Sequence, residues 1–234
     1  MNGGTPRDAA RHLVAAAHAS IAAGSRDLAV AATALALSAD PESAAAHTVQ
    51  AHLLEAAGDF PTALTHWRTA ARLEPASPAY RFNLAIALLG AGDYREGFAL
   101  HEARLDREDW IGLAAAGSFA GLRRRVPRPG DTLAGRRVLV FTEQGLGDMV
   151  WAARFLPMLA RRGVRFDLAC PAPLRPLLGP LVPGEVLGPP ADRPDTKLNM
   201  AALAGRYDWL VPMMSLAWIL DVAGPADFAP WLVP

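Results

Sequence analysis

Gly58-Asp59-Phe60 recurs further along the chain as Gly92-Asp93-Tyr94, and a degraded copy, Gly24-Ser25-Arg26, precedes it by the same interval. In a segment rich in alanine and leucine, a glycine at a fixed period ends one helix and opens a tight turn into the next. The 34-residue period therefore predicts stacked pairs of antiparallel helices. We expect a helical region over residues 1–111, with repeats at 10–43, 44–77 and 78–111.

Small residues and prolines follow the same period. Equivalent places on the second helices hold Ala29, Ala63 and Gly97, and those on the first helices hold Ala17, Ala51 and Ala85. Small side chains let helices approach closely, so these positions are expected to be buried. Pro41 and Pro75 are also one period apart and should stop the second helix, because proline removes a backbone donor. Asp109 takes the third place, and the third repeat is expected to end irregularly over residues 104–109.

Period, turn residues and small-residue positions together resemble the tetratricopeptide repeat (TPR), over nearly half the chain. The first repeat departs from that pattern by lacking the aromatic residue at the turn, and the third lacks the closing proline. The resemblance implies an N-terminal TPR α-solenoid of about three repeats. Its groove would bind a protein or glycan acceptor.

Two histidines are candidates for that groove. His18 and His52 are one period apart and fall at equivalent positions of the first helices. They are interpreted either as contacts for an acceptor or as half-exposed polar residues without a ligand. The six histidines of the chain form neither an i, i+4 pair nor an HExxH sequence, so no metal site is predicted.

After residue 111 the pattern changes. Residues 112–135 are interpreted as a linker, and residues 136–234 alternate between strand and helix signals. Strands are expected at 137–142, 165–170, around Val186 and at 208–212. Helices are expected at 149–162, kinked at Pro157, around 174–178 and at 215–222. This order predicts a Rossmann-like, parallel α/β unit that binds ligands at the carboxyl ends of its strands.

The first strand leads into the loop Gln144-Gly145-Leu146-Gly147-Asp148. Val150 stands where a dinucleotide-binding GxGxxG sequence would have its third glycine, and no GxxxxGK[ST] phosphate loop is present. No cofactor is therefore predicted. Asp148 is interpreted either as the N-cap of the following helix or as a general base.

The runs 141–149, 154–157 and 207–216 resemble the glycosyltransferase domain of bacterial TPR-glycosyltransferase fusions, which are related to the heptosyltransferases of glycosyltransferase family 9. Their EQGLGD sequence, residues 143–148, is the most specific part. The resemblance implies the acceptor half of a GT-B fold with Asp148 as catalytic base. The acceptor would lie against the neighbouring residues Gln144, Gly145, Leu146, Gly147 and Met149.

The resemblance covers only the N-terminal part of such an enzyme. Residues 136–234 are enough for one α/β half, so the donor-binding half is expected to be missing from this chain. The chain is interpreted as a truncated enzyme, as a relic that kept only the acceptor half, or as a protein whose donor half a separate donor-binding polypeptide supplies. The chain alone is expected to be inactive because transfer needs donor and acceptor held together. The alternative is a non-catalytic TPR scaffold for protein binding. A donor-half reading frame downstream of Pro234 would favour the enzyme.

Charge and composition narrow the class of partner. The chain has 23 basic and 23 acidic residues, which argues against nucleic acid as a ligand. The basic run Arg123–Arg125 is interpreted as part of a solvated linker. The N-terminus lacks a secretory pattern and no run of roughly 18–20 apolar residues follows, so a cytoplasmic protein without a membrane span is expected. The single cysteine, Cys170, is expected to be buried.

Overall fold

The computed structural model describes residues 5–107, 124–188 and 205–227. The chain divides into two compact units between Asp106 and Arg107. The predicted end of the repeats at residue 111, the start of the linker at 112 and the basic residue Arg123 lie outside the described residues.

The first unit is helical. Its described helices are α1 (Pro6–Ala22), α2 (Arg26–Ala39), α3 (Ala44–Glu55), α4 (Phe60–Leu73), α5 (Pro78–Gly90) and α6 (Tyr94–His101). The second helices begin at positions 26, 60 and 94, and α3 and α5 begin at 44 and 78, so the starts recur with the predicted period. The helices pack as three consecutive pairs. The predicted TPR-like helical repeats are confirmed.

Each pair turns at the predicted glycine. Gly24, Gly58 and Gly92 have φ angles of +73°, +82° and +85°, which favour glycine because a Cβ atom clashes there. Local caps begin α4, which follows the Gly58 turn, and α3 and α5, which each begin a pair. The side chains of Ser43, Asp59 and Ser77 accept a hydrogen bond from the amide three residues on, at 3.2 to 3.4 Å. The helices after the Gly24 and Gly92 turns, α2 and α6, have no side-chain cap within the described residues. Short-range residues therefore define the glycine turns and the starts of α3, α4 and α5.

The predicted small residues lie where helices touch. Ala17, Ala29, Ala51, Ala63 and Ala85 are each at most 1% exposed. At the third equivalent place, a Cβ added to Gly97 would lie only 2.8 Å from the Leu89 side chain. Close approach of the two helices of the third pair therefore depends on glycine at that position.

The third pair ends in a buried charged cluster. Helix α6 ends at His101 and is followed by a 3-10 turn, Glu102–Asp106. Of the irregular end predicted over residues 104–109, residues 108 and 109 lie outside the described residues. Within this turn Arg104 Nη1 donates to Glu102 Oε1 at 2.6 Å, and both side chains are almost fully buried. The same nitrogen lies 3.3 Å from His101 Nδ1 and donates to the His101 carbonyl at 3.2 Å. The His101 ring also packs against Phe82.

His101 should make the helical unit sensitive to acid. Burial, with a smaller effect of the Arg104 charge, lowers the pKa of His101 from 6.5 to about 3. The unfolded chain binds a proton below about pH 6.5 while the folded chain does not, so stability falls between about pH 6.5 and 3, by up to about 1.4 kcal/mol per pH unit. Urea unfolding followed by circular dichroism across this range measures the slope. His101→Asn, which keeps an acceptor near Arg104 but does not titrate, should flatten it. His12→Asn, at an exposed position of α1, should leave this slope unchanged.

The second unit is a parallel α/β sheet. Its described strands are β1 (Val138–Phe141), β2 (Phe166–Ala169), β3 (Val186–Leu187) and β4 (Trp209–Pro212). They pair in the order β3-β2-β1-β4, all parallel, with Val138 opposite both Phe166 and Trp209. The short helices are α7 (Leu146–Ala152), α8 (Phe155–Arg161), α9 (Arg175–Leu178) and α10 (Leu216–Ile219). The predicted Rossmann-like parallel unit is confirmed.

Two details of the predicted helices are wrong. The helix expected over 149–162 is two helices, α7 and α8, separated at Ala153 and Arg154. Pro157 has no amide hydrogen to donate to the Ala153 carbonyl, which accepts a hydrogen bond from the Leu156 amide at 3.0 Å. The helix expected over 215–222 is a 3-10 turn, Met213–Ser215, followed by the single turn of α10.

Candidate functional site

The candidate site lies at the carboxyl edge of the sheet, between the loops that follow β1 and β4. The chain crosses from β1 to β2 and β3 on one side, whereas β4 pairs on the other side of β1. The segments that follow β1 and β4 lie beside each other, because the 3-10 turn Met213–Ser215 packs against α7 and α10 packs against α8. In open α/β sheets ligands bind outside the carboxyl ends of the strands, where both segments begin.

A buried carboxylate ties the two loops together. Glu143 follows β1, is 2% exposed, and its Oε1 accepts a hydrogen bond from the amide of Met214 at 3.1 Å. Sequence reasoning named neither residue as part of the site. One feature of the sequence could have indicated Glu143: it is a charged residue shortly after a fully apolar strand and immediately before the glycine loop.

The next residue holds the loop in an uncommon backbone conformation. Gln144 has a φ angle of +66°, in the left-handed region that non-glycine residues rarely adopt. Its side chain is exposed, as are those of Leu146 and Asp148. Leu146 is 52% exposed, an unusual position for leucine at the start of a helix. The loop thus presents polar and apolar side chains to solvent at the carboxyl edge.

Asp148 lies in the first turn of α7 and is not its N-cap, which corrects the sequence interpretation. Gly145 is the N-cap, and Asp148, the third helical residue, accepts a hydrogen bond from the Gly145 amide through Oδ2 at 3.2 Å. Asp148 Oδ1 makes no hydrogen bond to any residue in the described parts of the chain. The carboxylate is therefore held by one oxygen and exposed at the other.

The predicted acceptor-binding residues differ in what they can offer. The amides of Leu146, Gly147 and Asp148 come first in the helix and have no acceptor within it. Met149 donates its amide to the Gly145 carbonyl at 3.1 Å, and its side chain is buried. Met149 therefore supports the loop from the core side, while the exposed contacts belong to residues 144–148.

The cysteine next to the sheet has the surroundings of a buried structural residue. Cys170 follows β2, is 1% exposed, and its amide donates to the Leu187 carbonyl at 3.0 Å. Burial raises the pKa of its thiol, and the nearby Arg175 charge opposes this only partly. A buried thiol that holds its proton is a poor nucleophile.

The two candidate groove histidines belong to the helical unit. His18 on α1 and His52 on α3 are both exposed and keep equivalent positions in their repeats. The His52 ring packs edge-on against Trp67 at 4.7 Å, and its Nδ1 lies 3.7 Å from Glu55 Oε2. Ile86 takes the third equivalent position and is 50% exposed. The residue at this equivalent position is thus histidine in the first two repeats and isoleucine in the third.

Within residues 5–107, 124–188 and 205–227, no cluster of three or more histidine, cysteine or acidic side chains is placed to hold a metal ion. None of the helices in those ranges combines the length and apolar character needed to cross a membrane.

Among the comparisons with known proteins, the comparison with solved structures gave matches. No protein-family model matches the sequence, and no curated protein matches it. Among solved structures, the chain is similar to a mutant of the O-GlcNAc transferase of Thermobaculum terrenum, with 16% sequence identity and a TM-score of 0.42. The match covers 89% of this chain and 42% of that one, so the chain spans less than half the length of that protein.

Proposed function

We propose that this chain is the acceptor-binding part of a TPR-containing glycosyltransferase related to the heptosyltransferases, with its α/β unit as one half of a GT-B fold. One observation carries the proposal: the EQGLGD sequence, residues 143–148, lies at the carboxyl edge of β1 beside β4. A ligand crevice is expected at that edge on topological grounds alone. The sequence resemblance and the sheet topology thus point to the same loop.

The proposed chemistry assigns one role to Asp148. Its exposed Oδ1 takes the proton from a sugar hydroxyl of the acceptor while that oxygen attacks the anomeric carbon of a nucleotide sugar. The new glycosidic C–O bond forms as the bond to the nucleotide phosphate breaks, and the nucleotide leaves with the bonding electron pair. A donor-binding unit must hold the nucleotide sugar against this edge, because the reaction requires both substrates in one crevice.

The loop and the helical unit are each assigned a binding role. Gln144 and the free amides of residues 146–148 can bond polar groups of a glycan, and the exposed Leu146 can pack against the apolar face of a sugar ring. In the helical unit, the row His18, His52 and Ile86 is proposed to contact a protein or glycan partner. Each unit is assigned its role independently of the other.

A glycan array probed with the labelled full chain tests the acceptor site. We expect binding to a subset of glycans, lost in Leu146→Asp because a charge replaces the apolar contact. Leu177→Asp is the matched control, since Leu177 is also an exposed leucine of the α/β unit but lies on α9. An array without binding, or equal binding by Leu146→Asp and the unsubstituted chain, would contradict a glycan acceptor at this loop.

The isolated chain should neither transfer sugar nor bind nucleotide sugars tightly. The glycine loop lacks a dinucleotide-binding pattern, and the proposed half holds the acceptor and not the donor. Calorimetry against a panel of nucleotide sugars measures this directly. A dissociation constant in the low micromolar range corresponds to a binding free energy of about −8 kcal/mol. Such a value would place a donor site within this chain.

A further inference from the structure

A second cavity opens at the opposite, amino edge of the sheet. Its volume is about 530 Å³, and its lining comes from residues at or just before the amino ends of the four strands. Four of the lining residues are arginines, Arg136, Arg137, Arg165 and Arg206, and one is acidic, Asp167. This cavity lies at the other edge of the sheet from the EQGLGD loop.

The acidic group in the cavity already has its hydrogen-bond partners. Asp167 Oδ1 accepts from the Glu185 amide and Oδ2 accepts from the Tyr207 hydroxyl, both at 2.7 Å. Burial, together with the bond to Asp167, raises the pKa of Tyr207 to about 12, so the phenol remains a donor. Gly184 packs so closely that an added Cβ would lie 2.3 Å from Asp167 Oδ1. Asp167 is thus held at the wall of the cavity by neighbouring donors.

Each arginine side chain that lines the cavity makes fewer hydrogen bonds within the described residues than Asp167 does. Arg137 pairs with Asp208 at 3.1 Å, and Arg165 donates to the Pro183 carbonyl at 3.3 Å. The guanidinium groups of Arg136 and Arg206 make no hydrogen bond or ion pair within residues 5–107, 124–188 and 205–227. Both side chains are exposed. The Arg206 guanidinium lies over the Tyr207 ring, 5.9 Å from its centroid. The described lining therefore has four guanidinium groups for one carboxylate, and those of Arg136 and Arg206 are open to solvent.

We infer that this cavity binds a small molecule bearing a phosphate or pyrophosphate group. Guanidinium groups bind phosphate oxygens through two parallel N–H bonds, and several arginines around one cavity suit a multiply charged anion. The volume falls in the range of small-molecule sites, roughly 300–1,000 Å³. Because the cavity and Asp148 lie at opposite edges of the sheet, failure of this inference would leave the proposed glycosyltransferase function untouched. Binding of a nucleotide sugar that is lost in Arg136→Ala/Arg206→Ala would belong to this cavity and not to a donor site.

Calorimetric titration of the full chain with inorganic pyrophosphate, at about 0.05 M salt to limit screening, tests the site. We expect measurable binding that weakens as salt rises. The double variant Arg136→Ala/Arg206→Ala should weaken it by about tenfold or more, since both arginines are exposed and their loss should not unfold the sheet. Circular dichroism of the variant verifies that it is folded.

A control variant removes the same charge elsewhere in the α/β unit. Arg128→Ala/Arg161→Ala replaces two exposed arginines that do not line the cavity, and it should bind pyrophosphate as the unsubstituted chain does. If both double variants weakened pyrophosphate binding equally, the loss of net charge alone would explain the effect, and the inference would be wrong. Absence of pyrophosphate binding by the unsubstituted chain would overturn it as well.

Discussion

Asp148→Asn is expected to abolish sugar transfer, by about 10²–10⁴-fold, in an assembly that combines this chain with a donor-binding unit. Asparagine cannot take the proton of an acceptor hydroxyl. Its amide oxygen can still accept the hydrogen bond that Asp148 accepts from Gly145, so the first turn of α7 should persist. The melting temperature should change by less than about 2 °C. Turnover and thermal melting of the same preparation measure the two effects.

Asp131→Asn is the matched control for this substitution. Asp131 is also exposed and accepts a hydrogen bond through Oδ2 from a nearby backbone amide, that of Arg128, at 2.7 Å. It lies in the segment before β1 and outside the carboxyl edge. Asp131→Asn should leave turnover unchanged. Near-normal turnover in Asp148→Asn would mean that Asp148 only supports the helix, and the assignment of the base would be wrong.

Glu102→Ala should cause the largest loss of stability among the substitutions considered. Arg104 would remain buried without the carboxylate that faces it at 2.6 Å. Removing one partner of a buried ion pair typically costs about 3–5 kcal/mol, because the remaining charge stays desolvated. Urea unfolding followed by far-ultraviolet circular dichroism reports on the helical unit, which holds the six long helices of the described residues.

Glu96→Ala provides the comparison at an exposed ion pair. Arg68 donates to both Glu96 oxygens at 3.1 and 3.2 Å, but the two side chains are 47% and 43% exposed. Water screens such a pair, so its loss should cost only about 0–1 kcal/mol. If Glu102→Ala cost no more than Glu96→Ala, the charged cluster after α6 would not stabilise the third repeat.

The helical repeats were predictable because short-range signals define them. A glycine with positive φ, a capping side chain and a proline each begin or end a helix through contacts within one helical turn. Their regular spacing in the sequence therefore gives the spacing of the helices directly. The strand positions were predictable for a similar reason, since each strand is a short apolar run between turn residues. The parallel arrangement of the sheet followed from the alternation of strands and helices.

The details that escaped prediction depend on contacts distant in the sequence or on competition within one turn. Glu143 is buried because it meets the amide of Met214, 71 residues further on. The break between α7 and α8 falls at Ala153 and Arg154, just before Pro157, where a kink within one helix was expected. Of the two interpretations of Asp148, the N-cap is wrong, because Gly145 takes that position and Asp148 bonds back to it. The arginines at the amino edge come together only through strand pairing.

Transfer of a labelled sugar, measured for the chain alone, for a donor-binding unit alone and for both together, tests the central claim most directly. The donor-binding unit would be one encoded beside this chain. The account predicts transfer to a glycan acceptor only when both are present, and its loss when the chain carries Asp148→Asn. Transfer by the donor-binding unit alone at the same rate, or by this chain alone, would contradict the proposed division between acceptor and donor halves.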